Sequence, residues 1–156
     1  MFKKKVLFCL CVGLIFMQGC QNQSTISENG SLQTVTVSVD CSTLLTNYSN
    51  VKPGYETFVP NDGIIIPPTK IEIKAGDSVL DVLKKATRGQ GVALDVQGSY
   101  VQSIGNIPQF VCGDTSGWMY SVNGEYVNQS ASKKTVQSGD TVVWIFTCNN
   151  GRDISF

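Results

Sequence analysis

The sequence contains no histidine. That absence removes Ser-His-Asp and Cys-His catalysis, every histidine-ligated metal site, and a histidine ligand to a cofactor metal. A nucleophile elbow is lacking too. Ser116 sits in Gly113-Asp114-Thr115-Ser116-Gly117, which is not Gly-x-Ser-x-Gly spacing, and no base is present to activate it. Asp62, Asp77, Asp81, Asp95, Asp114, Asp140 and Asp153 are dispersed, so there is no Asp-x-Asp-x-Asp calcium loop. Nothing singles out a catalytic carboxylate pair. The chain is therefore expected to be neither an enzyme nor a metal site. No clustered basic face of the kind nucleic acid requires occurs, so a nucleic-acid partner is not expected. The N-terminal apolar run, Val6 to Met17, has 12 residues, short of the ~20 that a spanning helix needs.

That run is nevertheless informative. Lys3, Lys4 and Lys5 precede it, and Gly19-Cys20 follows it. A basic start, a short apolar middle and a small residue read as a secretory signal. A cysteine directly after the small residue resembles a bacterial lipobox, with Met17 where such boxes prefer Leu. The resemblance implies that Cys20 is acylated, as a lipoprotein carrying diacylglyceryl and palmitate-type chains, and becomes the mature N-terminus. Residues 1–19 are then a signal peptide, 20–31 a polar, lipid-anchored tether, and 32–156 a domain at the cell surface, on the extracellular face of the bacterial membrane. Without residues 1–19 the chain keeps 137 of its 156 residues, enough for one domain with its own core. Nine basic residues then face twelve acidic ones, a net of about −3. Cys9 and Cys11 leave with the signal, and Cys41, Cys112 and Cys148 remain. An odd number in an oxidising location predicts one disulfide and one spare thiol.

Hydrophobic periodicity organises the rest. Thr34–Asp40 alternates strictly, with Val35, Val37 and Val39 on one face, and reads as a strand. Cys41–Pro68, rich in Asn, Pro and Gly, reads as a long loop, and Lys70–Lys74 as a short second strand. Ser78 caps a helix over Val79–Arg88, whose Val79, Val82, Leu83 and Ala86 share a face. Asp81 suits its positive end and Lys84, Lys85 and Arg88 its negative end, and Gly89 and Gly91 stop it. Further strands are predicted over Val92–Val96, Tyr100–Ile104, Gly117–Val122 and Glu125–Val127, the last two joined by Asn123-Gly124, a strong hairpin signal. Thr141–Thr147 is apolar on both faces and belongs centrally in a sheet.

Taken in order, Cys41, Gly76–Ala86, Tyr100–Ile104, Cys112-Gly113, Ser116-Gly117-Trp118-Met119-Tyr120-Ser121-Val122-Asn123-Gly124, Gly139-Asp140 and Trp144–Cys148 resemble the transcobalamin-like C-terminal domain family. These are bacterial relatives of the β-domain of intrinsic factor and transcobalamin. The resemblance spans about Thr34 to Asp153 and implies an α+β fold, a β-grasp-like mixed sheet with one helix packed across it. Vertebrate carriers place an α-helical barrel before this domain, and the signal and tether leave no room for one here. A corrinoid would then be held by half a site or with a partner.

The resemblance implies ligand contacts at Trp118, Tyr120 and Asn123. Tyr126 and Asn128, at the hairpin tip, are freer to touch a ligand. Trp118 and Tyr120 have two readings, a flat apolar platform for a ligand or the core under the helix, and Trp144 reads as core. In a β-grasp fold the first and last strands are parallel neighbours, which favours a Cys41–Cys148 bridge over Cys112–Cys148. The expected function is a lipid-anchored module capturing a corrinoid for a membrane transporter. The alternative is a surface module contacting another protein or the cell wall through a flat patch or a sheet edge.

Overall fold

The computed structural model describes residues 32–155. The signal segment, Cys20 and the tether lie outside the described residues. The elements are strand β1 (Thr34–Asp40), a one-turn helix α1 (Thr43–Thr46), β2 (Ile64–Glu72), helix α2 (Val79–Gln90), β3 (Leu94–Gln97), β4 (Tyr100–Ile104), β5 (Ile107–Pro108), β6 (Gly117–Val122), β7 (Glu125–Tyr126) and β8 (Thr141–Thr147). They form a five-stranded sheet, ordered β2-β1-β8-β6-β7, and a three-stranded sheet, β3-β4-β5. The β1–β8 pair is parallel and the other pairs are antiparallel. This is the expected α+β, β-grasp-like arrangement, with α2 packed across β1 and β2.

Strand alternation builds the core. Val35, Val37 and Val39 of β1, Val142, Trp144 and Phe146 of β8, and Trp118, Tyr120 and Val122 of β6 are all buried. They meet Val79, Val82, Leu83 and Ala86 of α2 and Val101, Ile104 and Ile107 of the small sheet in one cluster. The aromatic pairs are specific: Trp118 stands edge-on to Phe146 at 5.1 Å and 79°, and Tyr120 tilts over Trp144 at 5.2 Å. Each such pair contributes about 0.5–1.5 kcal/mol beyond its burial. β8 lies third of five, as its two apolar faces require.

Helix α2 carries a full capping box. Ser78 Oγ accepts from the Asp81 N–H at 3.2 Å, and Asp81 Oδ2 accepts from the Ser78 N–H at 3.0 Å. Gly91, at φ 66°, closes the helix, and Gly89 lies inside its last turn.

Two differences from the sequence reading have physical causes. The second strand starts at Ile64, not Lys70, and includes Pro67 and Pro68. β2 is an edge strand, so prolines that cannot donate to a ladder are tolerated there. The register moves from Val37↔Thr69 to Val39↔Ile66, a bulge that absorbs them. The preceding loop is correspondingly shorter and contains α1 and two 3-10 turns, Tyr48–Asn50 and Glu56–Phe58.

The second difference is the Cys41–Cys148 bridge, which is not formed: Cys41, Cys112 and Cys148 are all free thiols. The strands do lie parallel, but the register Asp40↔Ile145 sets Cys41 level with Phe146, two residues short of Cys148. That offset is about 6–7 Å along a strand. After Cys41 the chain turns into α1, and the Cys41 N–H donates to Gly63 O at 2.7 Å instead. Its thiol, buried and beside the Asp40 and Asp62 carboxylates, is pushed up to about 12.

Candidate functional site

Between β4, β6 and the segment that follows the β6–β7 hairpin runs a groove of about 350 Å³. The hairpin creates it. Asn123 (φ 55°) and Gly124 (φ 80°) hold the positive-φ turn predicted from their identities. The chain then leaves β7 along Val127–Ala131, opposite Tyr100. Tyr120 anchors that segment by donating its hydroxyl to Gln129 O at 2.7 Å. Trp118 anchors the small sheet, its Nε1 donating to Ile107 O at 2.9 Å. Burial, with the neighbouring Tyr126 hydroxyl, raises the Tyr120 hydroxyl above its ordinary range, so it remains the neutral donor this contact needs.

The predicted ligand residues divide into three kinds. Trp118 and Tyr120, 8% and 5% exposed, are core residues whose edges line the groove. Tyr126, 50% exposed, and the exposed Asn128 stand on its wall. Asn123 lies on an adjoining hollow of about 470 Å³ that shares Tyr126, Asn128 and Gln129 with the groove, and its amide is also used by the fold. Its Nδ2 donates to Asp140 at 2.9 Å, and its Oδ1 accepts from the Thr141 N–H at 2.9 Å. The structure therefore brings together Trp118, Tyr120, Tyr126 and Asn128.

Two residues of this surface escaped the sequence reading. Tyr100, 52% exposed, faces the groove from β4 and donates its hydroxyl to Gln109 Oε1 at 2.8 Å. Phe110, 45% exposed, lines an adjoining hollow of about 370 Å³ that shares Tyr100, Trp118, Met119 and Tyr126 with the groove. Phe110 also holds φ 64°, a conformation costly for a bulky side chain. It is kept there by its own N–H to Ser116 O at 3.0 Å. A lone Phe between Gln109 and Val111 carries no sequence signal for this, whereas Tyr100, an aromatic opening the short strand β4, does.

The lining is notable for its chemistry. Aromatic faces come from Tyr100, Trp118, Tyr120 and Tyr126, and hydrogen-bonding groups from Ser99, Asn128, Gln129 and Ser130, with no charged side chain among them. Among the described residues no group of three or more Cys, Asp or Glu is placed to hold a metal ion. No helix among them is long and apolar enough to cross a membrane.

Residues 76–147, from the turn before α2 to the end of β8, match a family described as a domain of unknown function, DUF4430. No curated protein sequence matches the chain. Among solved structures, haptocorrin in complex with Cbi superposes with a TM-score of 0.53 at 18% identity, over 76% of this chain and 26% of haptocorrin. A protein from Ruminococcus gnavus ATCC 29149, described as a candidate metal binding protein, aligns over 74% of this chain and 96% of its own, at 16% identity and a TM-score of 0.42. The chain spans about a quarter of the haptocorrin chain, and what the two share is a fold.

Proposed function

We propose that this domain is a non-catalytic binding module that takes a flat, uncharged ligand, by chemistry a corrinoid, in the groove between Tyr100 and Tyr126. The observation that carries this reading is the uncharged lining, which combines aromatic side chains with amide and hydroxyl groups. A corrin ring offers an apolar face to such rings, and its peripheral amides match Asn128, Gln129 and Ser130. A groove of about 350 Å³ is at the small end of ligand pockets, so it holds one edge of such a ligand and leaves the rest to a second surface. The fold shared with haptocorrin supports the choice of ligand class. With Cys20 acylated, the module would work at the extracellular face of the membrane and pass its ligand to a transporter.

Calorimetric titration of the purified chain with cobinamide and with cobalamin tests the reading. Saturable binding is expected, and Tyr126→Ala should raise Kd about 3- to 10-fold, the loss of one aromatic contact, in variant protein with the wild-type circular dichroism. No heat at millimolar ligand would end the corrinoid reading.

A further inference from the structure

We infer that Cys112 and Cys148 form a covalent modification site, a disulfide that oxidation closes between the loop after β5 and the end of β8. The two segments are already stitched together. The Thr115 hydroxyl donates to Cys148 O at 3.2 Å, and the Asn150 N–H donates to Thr115 O at 3.1 Å. Within that stitch the Cys112 and Cys148 thiols lie close enough for Cys112 to perturb Cys148, and Cys112 Sγ lies 3.9 Å from Asn47 O, just beyond α1. Both backbones are held in place. The Cys112 N–H donates to Ser116 Oγ at 3.0 Å, and the Cys148 N–H donates to Asp153 Oδ2 at 2.8 Å. With both backbones held side by side, closing the bond is a matter of side-chain rotation, provided the Cα atoms stand within the roughly 4.4–6.8 Å typical of disulfides. Cys112 is buried, and Cys148 is partly exposed, which gives an oxidant access. Cys41 sits level with Phe146 on the neighbouring strand, two residues short of Cys148, and its thiol is beside the Asp40 and Asp62 carboxylates.

The oxidant is a small-molecule or protein disulfide. One cysteine thiol gives up its proton, and its sulfur attacks the oxidant's S–S bond, releasing one oxidant sulfur, which takes up a proton. The second cysteine, also losing its proton, displaces the remaining oxidant sulfur as a second thiol. Two S–H bonds become one S–S bond here, and the oxidant's S–S bond becomes two S–H bonds. Burial, reinforced by the neighbouring Cys112, raises the Cys148 thiol above its ordinary range. Thiolate is then scarce and a poor leaving group, so exchange is slow in both directions and the bridge is a rivet rather than a catalytic dithiol. What it fixes is the Phe110–Gly117 wall of the adjoining hollow.

The test is to incubate the full chain with oxidised glutathione, alkylate the remaining thiols in denaturant, and map non-reduced peptides by mass spectrometry. The expected result is a Cys112 peptide joined to a Cys148 peptide, with Cys41 alkylated. Cys41 joined to either residue, or Cys112 and Cys148 both alkylated after oxidation, overturns the inference. As a second measurement, Cys41→Ala should retain the Cys112–Cys148 link at the wild-type yield when the variant shows the wild-type circular dichroism. Loss of the link in such a folded variant overturns it equally.

Discussion

Phe110 sits in a left-handed backbone conformation, φ 64°, while nearly half of its ring faces solvent. Neither feature serves the core. The conformation costs about 1–2 kcal/mol, and a ring this exposed returns only part of that through burial. Such strain is characteristic of contact surfaces. Phe110→Gly should therefore raise stability by about 1 kcal/mol, since glycine adopts this φ freely, while weakening ligand binding. A higher denaturant midpoint at unchanged slope, beside a raised Kd, would bear this out. Asn123 is the opposite case. Its amide bridges the β6–β7 turn to Asp140 and Thr141, so Asn123→Ala should cost about 1–3 kcal/mol of stability and leave Kd unchanged in the folded fraction. A selective loss of binding at full stability would show that the amide serves the ligand after all. The same Asn-Gly pair announced the turn in the sequence, and that legibility concealed its use: turn chemistry and ligand chemistry need the same side chain, and only the neighbouring strand end distinguishes them.

At the scale of the element, α2 shows why helix ends titrate. Asp77 is held below the usual carboxylate range, first by its hydrogen bond to Lys85 and then by the Lys74 N–H. Asp81 is held low by the Ser78 hydroxyl and N–H. Both groups are depressed on folding, so their contribution is present above the unfolded carboxylate value, about 3.9. It is lost as pH falls below that value and through the folded ones. Thermal midpoints should drop from about pH 4 downward, and Asp81→Asn should flatten that slope while lowering stability at neutral pH. An unchanged acid slope in the variant would rule out this origin. The elements themselves were largely legible: β1, β4, β6, β8 and the start of α2 follow from alternation, the Ser78 cap and the Asn-Gly turn. Only the end of β2, from Lys70, was, because Pro67 and Pro68 mark a loop by every local rule and are tolerated only where a bulged edge leaves their positions outside the ladder.

For the molecule as a whole, periodicity located the core strands but could not divide them between two sheets, because a strand's partner is not written in its own residues. The same limit explains the cysteines. Adjacent parallel strands were foreseeable, and the two-residue offset between Cys41 and Cys148 is a property of register alone. The groove is legible only in part for a related reason. Tyr126 and Asn128 follow from the hairpin, whereas Tyr100 arrives from the other sheet.

The bulge in β2 has a further effect. The five-stranded sheet ends on one side in a strand interrupted by two prolines and on the other in a strand of two residues. Neither border offers a continuous row of amide groups to an incoming chain. Strand addition is therefore disfavoured at both borders of this sheet, and copies crowded together should resist polymerising through it. Pro67→Thr with Pro68→Val should undo that protection, giving faster growth of thioflavin-positive aggregates at equal concentration, and no change in that rate would place the safeguard elsewhere. At these two borders a partner would have to be met by side chains rather than by a shared backbone ladder.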